Sequence, residues 1–419
     1  MIRRRRLRRW PGDRPDAPPA LVTPRLTALV VAFAVLAVGL LAPSPASGVG
    51  RSMLPTTGQD QPPGTSPEEG PVPGSVPAWL PISGETPRDA AVRECLVDDR
   101  RPVDVVDGDS TKQWPGGLGY ELPHDTAIDA RSRTFDDSEL NEDGFGTGVK
   151  FHESDDSRDR LCFVGGTVTS DFDPEQTSWN TWHRVTGMTV LTPGYRLVGT
   201  RFFNQGDMVA FGFDASGWEV IGVGADGGDT HAGAYLHDDC VENDGMGAGL
   251  IDDVKLDGCH VFLSSSSDGT RAAPGAEVEV RRSLVRLQPY DQSFNPPKYG
   301  NGQHGGFFKW AYLSGAGGVP PALVVTDSMF RAHQPAPYGG NENGGLGLPP
   351  GTTCSNVILV GTESWPAKDL SSWRDQCTDL TFGTVADWDA ATAAWDAAHP
   401  PLRDLPGQAA ASVGRALAW

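Results

Sequence analysis

From about Asp104 onward the chain repeats one kind of segment: a short β-rich run, then Gly, Asn or Asp, then another short run. Examples are "LCFVGGTVTS", "YRLVGTRFF", "MVAFGF", "WEVIGV", "VKLDGCHVFLS", "EVEVRRSLVRL" and "SNVILVGT". Val, Ile, Phe and Thr favour pleated, half-buried surfaces, and the small polar residues between them supply corners. No helix of normal length separates the runs, which argues against βαβ units. Hairpin signals are scarce: the Asn-Gly pairs at Asn301 and Asn343 lie in long loops.

Three segments can be laid over one another. "VGTRFFNQGDMVAF" starts at Val198 and "IDDVKLDGCHVFLS" at Ile251; "GAYLHDDCVEN" from Gly233 fits the second half after an insertion, "GADGGDTH". The overlay aligns Phe203, Leu236 and Leu256, then Val209, Val241 and Val261. Steps of about 20–33 residues suit one turn of a solenoid each. The fold class that follows is all-β, a right-handed parallel β-helix, with inward residues stacked into one core and Gly, Asn and Asp at left-handed corners. A sandwich or propeller is the competing architecture.

Two helices flank this pattern. "TPRDAAVREC", Thr86 to Cys95, has Thr at the N-cap and Pro at the first helical position, a short element suited to capping the N-terminal end. "ADWDAATAAWDAAHP", Ala386 to Pro400, places Trp388, Ala391 and Trp395 on one face and is expected to fold back on the C-terminal side. The expected organisation is 1–48 signal peptide, 49–80 Pro/Gly-rich linker, 81–385 β-helix, and 386–419 helix and tail.

The first segment rests on its composition. "MIRRRRLRRW" precedes an apolar run of 17, Leu26 to Ala42, and "SPASG" offers small residues for cleavage near Gly48. The expected location is therefore outside the cell, the alternative being an uncleaved N-terminal anchor. Residues 1–48 carry eight Arg against Asp13 and Asp16, a net of +6; with −20 overall, the remainder is −20 − 6 = −26. A surface that acidic excludes nucleic acid and anionic membranes as partners, and repels a polyanionic polysaccharide unless a basic patch intervenes. A monomer is expected, with no membrane contact once the leader is removed. Export makes the six cysteines disulfide candidates. Cys354 and Cys377 suit a late loop closure and Cys240 and Cys259 lie close in sequence; the pairing of Cys95 and Cys162 stays open. No Cys-x-x-Cys or His-rich cluster suggests zinc, and no metal ligands are assigned.

Chemistry concentrates in "HDDCVENDGMGAGLIDDVKLDGCHVFLSS", His237 to Ser265, which holds seven carboxylates. Its "HDDCVEN" resembles the Asp-Asp-Cys motif of polygalacturonases, inverting glycoside hydrolases built on a right-handed parallel β-helix, within the pectin-lyase-like superfamily. "NQGDM" puts Asn204 and Asp207 one rung before Asp238 and Asp239, and "GCH" puts Cys259 and His260 one rung after. The resemblance implies a catalytic set of Asp207, Asp238, Asp239 and His260 and a disulfide between Cys240 and Cys259 in adjacent rungs. It differs from the family in lacking Gly beside His260 and an Arg-Ile-Lys rung. The basic candidates downstream are Arg281, Arg282 and Lys309, with Lys309 between Phe308 and Trp310. Arg281, Lys309 and Trp310 are thus the expected substrate-binding residues, although Lys309 also fits ordinary snorkelling.

Inverting cleavage needs one protonated carboxyl and one carboxylate base, about 6.5–9.5 Å apart with water between them. Asp and Asn at solenoid corners also serve turns alone, and Glu242 and Asp244 read as solvent-facing. No resident cofactor is expected beyond a candidate Ca²⁺: Asp252, Asp253 and Asp257, with Asp238, Asp239 and Glu242, offer hard oxygen ligands, as in calcium-dependent lyases of this fold. The expected function is polysaccharide cleavage by a carboxylate site; the alternatives are a non-catalytic glycan-binding rod, using the loop Gln292 to Trp310, or a calcium-dependent lyase.

Overall fold

The computed structural model describes residues 74–98, 103–105, 113–114, 117–120, 127–136, 146–151, 161–169, 185–191, 193–203, 207–212, 215–226, 239–259, 261–265, 271–287, 306–310, 318–332 and 345–403. The leader, most of the linker, Leu236, Asp238, His260 and residues 292–305 lie outside the described residues.

The chain is a parallel β-helix with three faces. Strands of the first face include Leu161–Val164, Tyr195–Val198, Trp218–Ile221, Gly249–Asp252 and Glu277–Arg281; those of the second include Thr167–Thr169, Arg201–Phe203, Gly224–Asp226, Lys255–Cys259 and Leu284–Leu287. The 11-residue strand Ala322–Ala332 pairs with the last strand of each, so the two faces join as one 16-stranded sheet. The third face is an 8-stranded sheet ending Val185–Val190, Asp207–Phe211, Asp239–Asn243, Val261–Ser265, Gly306–Trp310. The strand ladders are parallel apart from a short antiparallel pair, Gln113–Trp114 with Gly117–Tyr120.

The register corrects the overlay. Phe202, Ala225 and Leu256 share one level, and Phe203 is exposed. Val209, Val241 and Leu263 share another, with Val261 opposite Asp239. Apolar residues stand at consecutive positions here, and a slip of one exchanges the faces of a strand, so hydrophobicity alone could not choose. "GADGGDTH" is not an insertion at its start: Gly224–Asp226 is a strand between Arg201–Phe203 and Lys255–Cys259. A Cβ at Gly224 would meet the Arg201 guanidinium.

The corner between the first and second faces repeats one backbone device. Gly199 (φ 65°), Gly222 (φ 61°), Asp253 (φ 55°), Arg282 (φ 49°), Asp327 (φ 47°), Asn356 (φ 51°) and Asp379 (φ 57°) each take the left-handed conformation just past a first-face run. The N-terminal helix, Pro87–Arg93, packs on this corner: a Cβ on Gly222 would collide with the Arg88 side chain. Thr86 caps that helix, accepting from the Asp89 backbone N–H at 3.1 Å. We expect Gly222→Ala to cost about 2 kcal/mol, combining left-handed strain with overpacking, and to lower the denaturation midpoint without changing the slope.

The C-terminal helix, Val385–Ala398, opens with a capping box between Thr384 and Asp387. As expected, Trp388, Ala391 and Trp395 form its buried face, set against Leu284, Met329 and Val360. The helix runs back along the corner until the Ala398 and Pro400 carbonyls accept from Arg88, at 3.4 and 2.8 Å. Chain expected as linker joins this packing: Val76, Trp79 and Leu80 sit in the same cluster, and Asp387 accepts from the Gly74 and Ser75 N–H groups. The segment between Cys354 and Cys377 holds a helix, Ala367–Gln376, absent from the sequence reading. Its Trp373 fills the core beside Phe307, Phe308 and Phe330.

Three disulfides pair all six cysteines: Cys95–Cys162, Cys240–Cys259 and Cys354–Cys377. The first ties the N-terminal helical segment to the first face; the last joins register partners on adjacent strands. Among the described residues no helix is long and apolar enough to cross a membrane.

Candidate functional site on the third face

In the strands Asp207–Phe211, Asp239–Asn243, Val261–Ser265 and Gly306–Trp310 successive apolar residues are buried: Met208 and Val209, Cys240 and Val241, Phe262 and Leu263, Phe307 and Phe308. The start of each of these strands thus departs from simple alternation. Phe211, Asn243, Ser265 and Trp310 are buried, and Ala210, Glu242, Ser264 and Lys309 form the adjacent row. Inward Asn243 fixes the end of its strand: its Nδ2 donates to Gly247 O at 3.0 Å and Ser265 Oγ at 3.2 Å, and its Oδ1 accepts from Gly247 N–H and Trp218 Nε1–H. That turn places Asp244, whose own N–H donates to Phe211 O.

The result is a group of carboxylates around one ammonium. Asp207 accepts from the Asp239 backbone N–H at 3.1 Å, a contact between neighbouring rungs. Lys309 Nζ lies 3.5 Å from Asp239 Oδ2. That is an ion-pair distance, too long for an ordinary hydrogen bond. Both Asp239 oxygens are buried without a hydrogen-bond donor among the described residues. The Lys309 ammonium is raised above its ordinary value, first by Asp239, with Glu242, Asp207 and Asp244 adding to it against the cost of burial.

Glu242 and Asp244 are the residues that sequence reading assigned to solvent. Their carboxyl groups hydrogen-bond to each other. Burial, then the charges of Asp244 and Asp239, push Glu242 well above the usual carboxylate range, with Lys309 pulling the other way. Burial raises Asp244 to about 6, opposed first by Lys309. Two neighbouring acids in a poorly hydrated place cannot both ionise cheaply, so they hold a proton between them near neutrality. Glu242 is three residues past Asp239 on the same strand.

Other expected site residues lie elsewhere. Arg281 belongs to the first face, where it pairs with Asp252 at 3.0 Å and Glu279 at 3.2 Å, and Arg282 grips the same Asp252. Asp252 and Arg281 are register partners, so the arginine answers a stacked carboxylate rather than a substrate. Trp310 is 1% exposed and its Nε1–H donates to Pro321 O at 3.3 Å, which makes it a core residue and removes the sugar-platform role. The calcium candidates are dispersed: Asp252 is held by the two arginines, Asp253 by His399 and Asp257 by Arg286. Among the described residues no three His, Cys, Asp or Glu side chains converge as metal ligands. No family model matches the chain, and no curated protein matches it in sequence.

Proposed function

We propose that the protein is exported and acts on polysaccharide, cleaving glycosidic bonds by general acid–base catalysis at the third-face carboxyl groups. The observation that carries this reading is the grouping of Asp207, Asp239, Glu242 and Asp244 about Lys309 on the third face, where burial and neighbouring charge raise Glu242 and Asp244. Environments that separate the behaviour of neighbouring carboxyls are the usual means of making one an acid and another a base. Glu242, with Asp244 behind it, protonates the departing glycosidic oxygen. Asp239 has oxygen lone pairs that no donor occupies among the described residues, and accepts a proton from the attacking water. Glu242 stands three positions beyond Asp239, about 10 Å along the backbone, and inversion requires their carboxyl groups to lie about 6.5–9.5 Å apart. Asp207 holds the Asp239 backbone. This assignment keeps the polygalacturonase-like architecture but moves the acid one pleat along the strand.

The lyase alternative is less well supported, because it needs a neutral Lys or Arg as base and Lys309 is held protonated by the carboxylates around it. The leader and the three disulfides support an extracellular location. The test is a panel of soluble polysaccharides assayed for new reducing ends, with chelator present. Saturated products from at least one polymer are expected. Unsaturated products, or no cleavage of any polymer, would overturn the hydrolase reading.

A further inference from the structure

We infer that the glycan bound on the third face bears free amino groups, as in a de-N-acetylated hexosamine chain, and is not a polyuronate. The inference rests on the reading of this face as a glycan site and specifies what it takes. From Val185–Val190 to Gly306–Trp310, the described residues of the face include one cation, Lys309. That ammonium faces Asp239 at 3.5 Å, so it has no charge to spare for a substrate carboxylate. The next lysine in its row, Lys150, stands three rungs before Glu242, through Thr189 and Ala210.

Among the described residues, several basic side chains of the other faces are committed. Arg281 and Arg282 hold Asp252, Arg286 holds Asp257, and Arg196 holds Glu219 and Glu94. Against Lys309 stand Asp207, Asp239, Glu242 and Asp244. Even with one proton shared by the last two, the acids outnumber the one cation. The chain beyond its leader carries −26 in all, a charge that favours a cationic ligand over an anionic one.

A second observation points to a donor-bearing ligand. Asp239 is 1% exposed, and neither carboxylate oxygen has a hydrogen-bond donor among the described residues. Buried carboxylates are ordinarily satisfied, and an ammonium or hydroxyl entering the face would supply what is missing. A uronate carboxylate would add a further acceptor among acceptors, with like charges in a poorly hydrated place. The row from Thr189 to Lys309 spans four rung spacings, about 19 Å, enough for several sugars of an extended chain.

The test is equilibrium binding of three hexasaccharides to the intact mature chain at pH 7 and fixed ionic strength: glucosamine, N-acetylglucosamine and galacturonate. Asp244→Asn serves as the local variant and Asp389→Asn, remote and exposed, as the charge-matched control. The glucosamine probe is expected to bind at least about tenfold tighter than its acetylated counterpart, with galacturonate weakest. Asp244→Asn should lose most of that preference and Asp389→Asn none. Equal loss in both variants would mean diffuse attraction to an acidic protein, and would overturn the inference. So would tightest binding of galacturonate, or no binding of any probe. If galacturonate is preferred and cleaved, the hydrolase reading stands and the inference falls. If the amine probe is bound through Asp244 and nothing is cleaved, the inference stands and the hydrolase reading falls.

Discussion

Glu242→Gln should lower the rate of polysaccharide cleavage by about 10²–10⁴-fold while leaving the fold intact. Glutamine keeps the shape of the side chain and can still donate to Asp244, but it has no proton to give the leaving oxygen. Asp389→Asn, at an exposed position on the C-terminal helix, should leave the rate unchanged. In the native protein activity should fall on the alkaline side as the Glu242–Asp244 pair loses its proton, with an apparent value belonging to the pair. Asp244 at about 6 and Glu242 well above its usual range place that limb near and above pH 6.

The same pair predicts a stability effect of definite sign. Both folded-state values are raised above those of the unfolded chain, about 4. Their stabilising contribution is therefore complete below about pH 4 and is lost as pH rises through 6 and beyond. Asp89 and Asp387 are lowered, each by partners that outweigh its burial, and contribute in the opposite sense, losing stability only as pH falls below about 4. Denaturation midpoints measured from pH 4 to pH 8 should thus decline more in the native protein than in Glu242→Gln. Parallel pH profiles, with activity equal to that of Asp389→Asn, would place the cluster on the skin of the solenoid.

The architecture was legible because a solenoid writes itself repeatedly: short β-rich runs, corners of Gly, Asn and Asp, and no crossover helices. Register was less legible. Phe202 and Phe203 are both apolar, and only the stacking of Phe202 on Ala225 and Leu256 decides which one faces in. The corner at Asp253, Arg282, Asp327, Asn356 and Asp379 was partly readable, since Asp and Asn tolerate left-handed backbone; Arg282 gave no such signal. Helix Ala367–Gln376 shows no apolar stripe in sequence: beyond Ala367, "AKDLSSWRDQ" is polar except for Leu370 and Trp373, and its buried residues are Asp369 and Trp373.

At the site, rung order places Asp207 beside the Asp239 backbone, and Lys309 lies on the same face, paired with Asp239. Arg281 and Trp310 were named for being near in sequence. In a parallel β-helix, nearness in sequence carries a residue round to another face, and parity within a strand sends neighbours to opposite sides. Glu242 was passed over for the same reason: its importance comes from Lys309, level with it two rungs on through Ser264, which no local pattern reveals.

His399→Ala should destabilise the protein by about 3 kcal/mol, the largest effect expected from a residue remote from the third face. His399 and Asp253 are both fully buried, with His399 Nε2 2.8 Å from Asp253 Oδ2 and Nδ1 2.9 Å from the Trp395 carbonyl. Trp395 stacks on the imidazole, and its Nε1–H donates to Asp253 at 3.2 Å. Arg201 lies over the same indole and donates to the His399 carbonyl. Lys255 reaches past it to Asp396. This network fastens the last turn of the C-terminal helix to a left-handed corner of the solenoid. Removing the imidazole leaves a cavity and a buried carboxyl with one donor fewer. Asp253→Asn preserves the corner conformation, which Asn also tolerates, and can keep one hydrogen bond to the ring, so its cost should be smaller, about 1 kcal/mol. The double variant should cost less than the sum of the singles, because each single change strands the other partner. Equilibrium denaturation decides the magnitudes, and limited proteolysis should show cleavage of Val385–Ala398 in His399→Ala before the sheets are attacked. A loss below about 1 kcal/mol, or cleavage no faster than in the native protein, would mean that the apolar contacts of Trp388 and Trp395 hold the helix without help from the polar network.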